Sequence, residues 1–414
     1  MPARPWPLTY RPSAWDDPLD PAVSALMPAY NAGVPRHDLD AVRRLLERAD
    51  PPRSRRRVVV VGTNGKSSTA TYLARALTAA GVRTGLSTSP HLRAWTERAR
   101  VDLEPVEGDA LLAALRRVHD VAALQDERRG DLRFFDVLTI ATEELFGRAG
   151  VDVGVFEAGI GGRLDATRAL DPELVLLTSI GADHEAILGR DPRRRLWEKA
   201  LAAPPGATLL SAPLGAELDA ELQRIAAEAG FTAEVVPPDD ARAAAGAPAF
   251  QRANLALAAA AARRLLGGRP VAPVDPAVDG RFERTAVDGV ELVADVAHNP
   301  TAWEAFLAEL PARPHVLLTA ITEPRDPEEL VAALAAAGDR VGTMVVTGTT
   351  VRPARDPELV AALLRGAGLE AAAVPEPEAA FAAAVAAARD RGLPLAAFGS
   401  NYLVVDLLAW ARTR

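Results

Sequence analysis

Cysteine is absent from all 414 residues, which excludes disulfides, thiolate metal sites and cysteine nucleophiles together. Any metal must therefore take oxygen or imidazole ligands. Long apolar runs are missing too: no stretch approaches the roughly 18 residues of a membrane span. The proline-rich opening, Met1 to Tyr10, also lacks the continuous apolar core of a signal peptide. These absences point to a cytoplasmic protein with no membrane partner. Positive charge is in deficit, 47 Lys and Arg against 55 Asp and Glu, for a formal net charge of −8. A general nucleic-acid binder is disfavoured, because such proteins need excess cations to displace phosphate counterions. The basic clusters Arg53 to Arg57 and Arg193 to Arg195 are short and read as solvated loops. Aromatics are scarce at 5%, whereas apolar residues reach 49% and charged residues 25%, the profile of a soluble globular chain with many Ala- and Leu-rich helices.

The length exceeds the roughly 250 to 300 residues at which single cores stop growing, so two domains are expected. Strand-like runs alternate with helical stretches: Arg57 to Val61 precedes Ser68 to Ala80, and Asp136 to Ala149 precedes Val151 to Phe156. This is the rhythm of a mainly parallel sheet covered on both faces, an α/β fold. Leu174 to Ser179, Thr208 to Ser211, His315 to Thr319 and Val341 to Val346 read as further buried strands. Gln251 to Leu266 reads as a helix, and Thr285 to Asp295 as a hairpin turning at Asp288-Gly289. The Pro- and Gly-rich stretch between them, Gly267 to Gly280, places a domain boundary, giving 1–275 and 276–414.

After the first apolar strand comes Gly62-Thr63-Asn64-Gly65-Lys66-Ser67-Ser68, leading directly into a helix. Glycines let backbone fold close around phosphate oxygens, and the helix start presents unpaired N–H groups. Lys66 neutralises charge, and Ser67 or Ser68 offers a hydroxyl to phosphate or magnesium. The spacing departs from the usual eight-residue phosphate loop, since residue 60 is valine where that pattern has its first glycine. ATP or a relative is the expected ligand. Glu157 closes an apolar strand, and the carboxyl edge of a parallel sheet is where ligands bind. Asp295 and His298 likewise follow a strand and precede the helix-start signal Asn299-Pro300. His91 reads as a hydrogen-bonded histidine.

The phosphate loop resembles the Gly-Thr-Asn-Gly-Lys-Gly-Ser loop of the Mur ligase superfamily, in its folylpolyglutamate synthase and dihydrofolate synthase branch. Further segments recur in that branch's order: Thr88-Ser89-Pro90-His91-Leu92 with Glu97-Arg98, Glu157-Ala158-Gly159-Ile160-Gly161-Gly162-Arg163-Leu164-Asp165-Ala166-Thr167, and Thr178-Ser179-Ile180-Gly181-Ala182-Asp183-His184. Glu198-Lys199-Ala200, Gln251 with Asn254, Gly280-Arg281, Asp295-Val296-Ala297-His298-Asn299-Pro300 and Gly399-Ser400 follow.

The resemblance implies an N-terminal P-loop ATP-binding domain with a mainly parallel sheet and a smaller C-terminal Rossmann-like α/β domain. The implied enzyme is an ADP-forming ligase that activates a carboxylate as an acyl phosphate and joins it to an amine. Its implied substrates are ATP, a small carboxylic acid and an amino acid; its cofactor is Mg2+, and it acts as a monomer. Lys66, Glu157, His184 and Lys199 are the implied catalytic residues. One metal would be held by Ser89 and Glu157, and a second by Glu157, His184 and a carbamylated Lys199. Asn254, Arg281, Asp295 and His298 are implied around the nucleotide. The chain departs from the family pattern at Ser67, at Asp295-Val296-Ala297-His298, after Glu198-Lys199-Ala200, at Phe250-Gln251 and at Arg325-Asp326. These departures leave open three readings: glutamate addition to a folate or dihydropteroate, a diverged amide ligase with another acid or amine, and a non-catalytic nucleotide-binding protein.

Overall fold

The computed structural model describes residues 17–26, 38–124, 132–238, 247–323, 325–350 and 353–414; the segment Met1 to Tyr10 lies outside them. The chain divides into two compact units, one spanning Asp17–Pro276 and the other Ala277–Arg414.

The first unit runs α1 (Asp20–Leu26), α2 (Leu39–Ala49), β1 (Arg56–Val61), α3 (Lys66–Ala79), β2 (Thr84–Ser87), β3 (Arg100–Val101), β4 (Glu104–Pro105), α4 (Gly108–Ala123), α5 (Phe134–Arg148) and β5 (Val153–Glu157). It continues through β6 (Leu174–Leu177), α6 (Glu185–Leu188), α7 (Pro192–Ala200), β7 (Thr208–Ser211), α8 (Ala216–Ala229), β8 (Thr232–Val235) and α9 (Ala249–Leu265). The eight strands form one sheet in the order β4-β3-β2-β5-β1-β6-β7-β8. Six of them are parallel, and the short β3 and β4 add antiparallel pairs at one edge. A strand sandwiched between helices has two dry faces, so β1 carries four consecutive valines, Val58 to Val61, all fully buried. Each contributes roughly 1.5 kcal/mol or more by leaving water. Behind the sheet α3 packs on α9, whose buried Ala258, Ala261 and Ala262 allow close approach.

The arginine clusters are solvated loops only in part: Arg53 and Arg55 are exposed ahead of β1, and the others fall on regular elements. Arg56 and Arg57 open β1, and Arg193, Arg194 and Arg195 lie on α7. Arg57 is drawn toward the buried Glu143 of α5, which accepts from the Ser54 N–H at 3.2 Å and the Ser54 hydroxyl at 2.9 Å. Burial pushes the Glu143 carboxyl up to about 7, and the Ser54 bonds and Arg57 only partly oppose this. An acid whose pKa is higher folded than unfolded leaves stability intact below its unfolded value of 4.5 and withdraws it as pH rises toward 7. Glu143→Gln is therefore expected to gain up to about 3 kcal/mol on wild type between pH 4.5 and 8. Urea melts of both proteins across that range check this, and parallel stability curves would refute it.

The second unit contains β9 (Glu283–Val287), β10 (Val290–Ala294), α10 (Pro300–Glu309), β11 (His315–Thr319), α11 (Pro327–Ala337), β12 (Val341–Val346), α12 (Pro357–Gly366), β13 (Glu370–Ala373), α13 (Pro377–Arg391), β14 (Leu395–Phe398) and α14 (Asn401–Ala411). Its sheet has the order β13-β12-β11-β14-β10-β9, parallel except for the β9–β10 hairpin. Asp288 (φ +48°) and Gly289 (φ +80°) both turn left-handed there, as a tight two-residue hairpin requires. In the first sheet the strand order reverses beside β1, and in the second β14 returns between β11 and β10; the carboxyl edge at such a switch is where ligands bind in α/β sheets. No helix among the described residues is long and apolar enough to cross a membrane.

Candidate active site

The phosphate loop leaves the carboxyl end of β1, between the ends of β5 and β6. Two glycines are demanded by its packing. A Cβ on Gly62 (φ +152°) would lie 1.9 Å from Thr178 Oγ1, and one on Gly65 (φ +83°) would lie 2.5 Å from Asn254 Oδ1. The segment after β6 clamps the loop: Thr63 N–H donates to Ser179 O at 2.9 Å, Asn64 N–H to Ser179 Oγ at 3.0 Å, and Thr178 Oγ1 to Asn64 O at 2.6 Å. Thr178 and Ser179 fall just past β6 rather than inside it, which frees their hydroxyls for this role. Asn254, on α9, is buried against Gly65.

Two lysines meet at this loop. Lys66 Nζ donates to Gly62 O at 3.2 Å and Thr63 O at 3.1 Å, and Lys199 Nζ donates to the same Gly62 O at 2.9 Å. Lys199 is only 4% exposed on α7. Burial, and then the charge of Lys66, lower its ammonium to about 7. A lysine poised near neutrality has a substantial neutral-amine fraction, unlike a solvated one.

Glu157, the last residue of β5, is 4% exposed. Ser67 Oγ donates to its Oε1 at 3.0 Å and the Ser89 N–H to its Oε2 at 2.9 Å. The loop beyond it is organised by the buried Asp165, which accepts the Gly159 N–H at 3.0 Å, the Thr167 N–H at 3.0 Å and the Thr167 hydroxyl at 2.7 Å. Arg163 N–H then donates to Glu198 O at 2.8 Å, seating the loop on α7 one residue from Lys199. The structure thus gathers Lys66, Ser67, Ser89, Glu157, Lys199 and Asn254 around one loop. His184 is placed differently: it caps α6 in a left-handed conformation (φ +52°), exposed, with Nε2 3.8 Å from Asp183 Oδ2.

Magnesium needs one or two carboxylates, hydroxyl or phosphate oxygens and retained water. A buried carboxylate beside Ser67 and Ser89 fits that requirement. Among the described residues no three His, Asp or Glu side chains cluster as an all-protein metal cage. His91 serves the segment's packing: its Nδ1 accepts from Arg98 Nε at 2.8 Å, its ring lies 4.6 Å from that of Trp95, and burial with Arg98 lowers it to about 3, so it stays neutral.

In the second unit Asp295 follows β10, buried, accepting two backbone N–H groups. Burial pushes its carboxyl up, opposed by Arg281 and those amides. Arg281 N–H donates to Val278 O at 2.9 Å, and His298 Nδ1 lies 2.9 Å from Val296 O. Asn299 caps α10 through a bond from the Ala302 N–H at 2.9 Å.

Thr178, Ser179 and Asp165 carry this architecture but were not singled out from sequence as site groups. Asp165 had a usable signal, since Asp-x-Thr forms such local turns. The clamp by Thr178 and Ser179 joins positions more than a hundred residues apart, and nothing local announces it.

Residues 280–397 match the family model described as Mur ligase, glutamate ligase domain. A probable bifunctional folylpolyglutamate synthase/dihydropteroate synthase of Haloferax volcanii is 30% identical over 418 residues, covering 90% of this chain and 48% of that protein. The dihydrofolate synthase/folylpolyglutamate synthase of Escherichia coli is 32% identical over 280 residues, 62% of this chain and 64% of that one. The chain spans about half the length of the Haloferax relative. Among solved structures, a Mycobacterium tuberculosis folylpolyglutamate synthase complexed with ADP has the same fold, with a TM-score of 0.81 at 24% identity over 96% of this chain and 98% of that one. A Yersinia pestis bifunctional folylpolyglutamate synthase/dihydrofolate synthase complexed with AMPPNP and Mn gives 0.79 at 25%, over 97% and 100%.

Proposed function

We propose that the chain is a member of the Mur ligase superfamily, in its folylpolyglutamate synthase and dihydrofolate synthase branch, and that it is an ATP-dependent ligase that adds L-glutamate to a folate or dihydropteroate through an acyl phosphate; the match of residues 280–397 and the likeness to the Haloferax and Escherichia coli proteins support this. The observation that carries this reading is the convergence of Lys66, Lys199 and Glu157 on one glycine-formed loop at a sheet's switch point.

Joining a carboxylate to an amine is uphill in water, so the acid must first become electrophilic. Its carboxylate oxygen attacks the γ-phosphorus of ATP, the bond to the β-bridging oxygen breaks, and ADP leaves. The amine nitrogen then attacks the acyl carbon, expels phosphate and releases a proton. Catalysis is mainly positioning and charge neutralisation. Lys66 and the N–H groups opening α3 face the phosphates. Divalent metal held by Ser89, Glu157 and the Ser67 hydroxyl would supply further charge neutralisation. The low pKa of Lys199 suits carbamylation: its neutral amine attacks carbon dioxide, loses a proton and becomes a carboxylate-like ligand, with His184 as its companion in our reading. Asn254, Arg281, Asp295 and His298 are assigned to nucleotide binding by the same family likeness. We place the enzyme in the cytoplasm, acting as a monomer on small molecules.

The test is ADP and phosphate release with MgATP and L-glutamate, comparing dihydropteroate, tetrahydrofolate and no acid, with products identified by mass. A gain of one glutamyl residue on either pterin is expected. No product from either, in protein shown to bind ATP, would overturn the folate assignment and leave an amide ligase of another acid.

A further inference from the structure

Glu97 takes no part in the steps of ligation, but its carboxylate gathers three consecutive backbone amides. Oε2 accepts the Leu92 N–H at 2.9 Å, and Oε1 accepts the Arg93 N–H at 3.0 Å and the Ala94 N–H at 3.1 Å. Successive N–H groups turned to one side form an anion-binding concavity, and here the chain fills it with its own charge. Glu97 stands on a single 3-10 turn, Trp95–Arg98, at the far end of the segment that leaves β2 through Ser89. That far end is fixed to the rest of the unit. The Trp95 backbone N–H donates to Asp17 Oδ2 at 2.6 Å, its indole N–H donates to Asp20 Oδ1 at 2.8 Å, and its ring lies 5.6 Å from that of Phe134. The near end meets Glu157 through the Ser89 N–H. Only Pro90 and His91 separate Ser89 from the first amide that Glu97 holds, and His91 is itself bonded to Arg98. A carboxylate on the anchored end therefore clasps the end that touches Glu157.

We propose that Glu97 is a positioning residue: by clasping the Leu92, Arg93 and Ala94 amides it sets the Ser89 N–H against the Glu157 carboxylate and so fixes that acid beside the phosphate loop. Hydrogen bonds to an ionised acceptor are roughly twice as strong as those between neutral groups, so one charged group on three amides closes the segment more firmly than a neutral side chain could. With the clasp broken, residues 89–94 open locally while the rest of the unit stays folded. The Ser89 N–H then leaves Glu157, which keeps the Ser67 hydroxyl but loses an orienting donor. The inference rests on the ligase reading only in taking Glu157 as a working group; the clasp itself does not depend on it.

The experiment is amide hydrogen exchange on the full chain without nucleotide or metal, resolved to single residues by mass spectrometry with electron-transfer fragmentation. Glu97→Gln keeps the shape but turns one acceptor oxygen into an NH2 group that faces an N–H. Exchange at Leu92, Arg93 and Ala94 is expected to quicken by about tenfold, and exchange at Ser89 to quicken with it, while Thr63 and Asn64 in the phosphate loop change by less than about twofold. Mn2+ binding followed by electron paramagnetic resonance should weaken by about tenfold with the number of sites unchanged, which a mere loss of folded protein would not give. Exchange at Ser89 within about twofold of wild type overturns the proposal, and so does an unchanged Mn2+ affinity. Should Glu97→Gln fail to fold by circular dichroism, wild type decides. Protection at Ser89 within about fivefold of that at Leu92, Arg93 and Ala94 marks one shared opening and supports the clasp, and a larger gap overturns it. Wild type that binds no Mn2+ defeats the metal and ligase reading alone, and exchange at Ser89 then decides whether Glu97 positions the segment.

Discussion

Glu157→Ala is expected to lower ligation by about a thousandfold or more, with the fold retained. The carboxylate is buried at the end of β5 and is oriented by the Ser67 hydroxyl and the Ser89 N–H. Deleting it leaves two donors without their acceptor, a stability cost of roughly 1–3 kcal/mol, within what a domain of this size absorbs. Loss of negative charge beside the phosphate loop is the larger consequence, because Glu157 is the acid that accepts from both Ser67 and Ser89. Glu157→Gln keeps the shape without the charge and is expected to be nearly as inactive. Two readouts separate the effects: thermal melts, which should shift by a few degrees, and Mn2+ binding followed by electron paramagnetic resonance, which should weaken strongly in both variants. Product formation by Glu157→Ala within tenfold of wild type would remove Glu157 from the metal assignment.

Lys199→Ala is expected to be comparably severe, by about a thousandfold, and chemically more informative. In the folded chain its amine is buried on Gly62 O, close enough to Lys66 for their charges to oppose one another. If Lys199 acts as a carbamate, the missing group is a carboxylate in a cavity of side-chain length, and small carboxylates such as acetate or propionate should restore part of the rate. Lys199→Arg should not be rescued, since a guanidinium fills the space and takes no carbon dioxide. If Lys199 acts only as an ammonium supporting the loop, short amines should rescue and carboxylates should not. Rates measured across both series, with intact-mass analysis for an added 44 Da on the native lysine (the mass of CO2), decide between the two.

The strands and helices were readable wherever the signal is local. Val58 to Val61, the Asn299-Pro300 helix start and the Asp288-Gly289 turn each follow from adjacent residues, and the structure places β1, α10 and the β9–β10 hairpin there. The arginine clusters were readable only in part, for the converse reason. Composition describes a segment's solubility, which holds for the exposed Arg53 and Arg55, whereas Arg57 and Arg195 lie on regular elements and meet Glu143 and the Gly189 and Arg190 carbonyls. His184 sits exposed at the start of α6.

By itself the sequence determined the α/β class, the glycine loop at the end of an apolar strand and the kinds of group that loop needs, because these depend on backbone freedom and burial over a few consecutive residues. Only the tertiary structure decided which side chains meet. Ser67 reaches Glu157 across 90 positions and Lys199 reaches Gly62 across 137. The lowered pKa of Lys199 likewise arises from desolvation and from partners distant in the chain. Such properties belong to the packed sheet edge, where strands far apart in sequence end side by side.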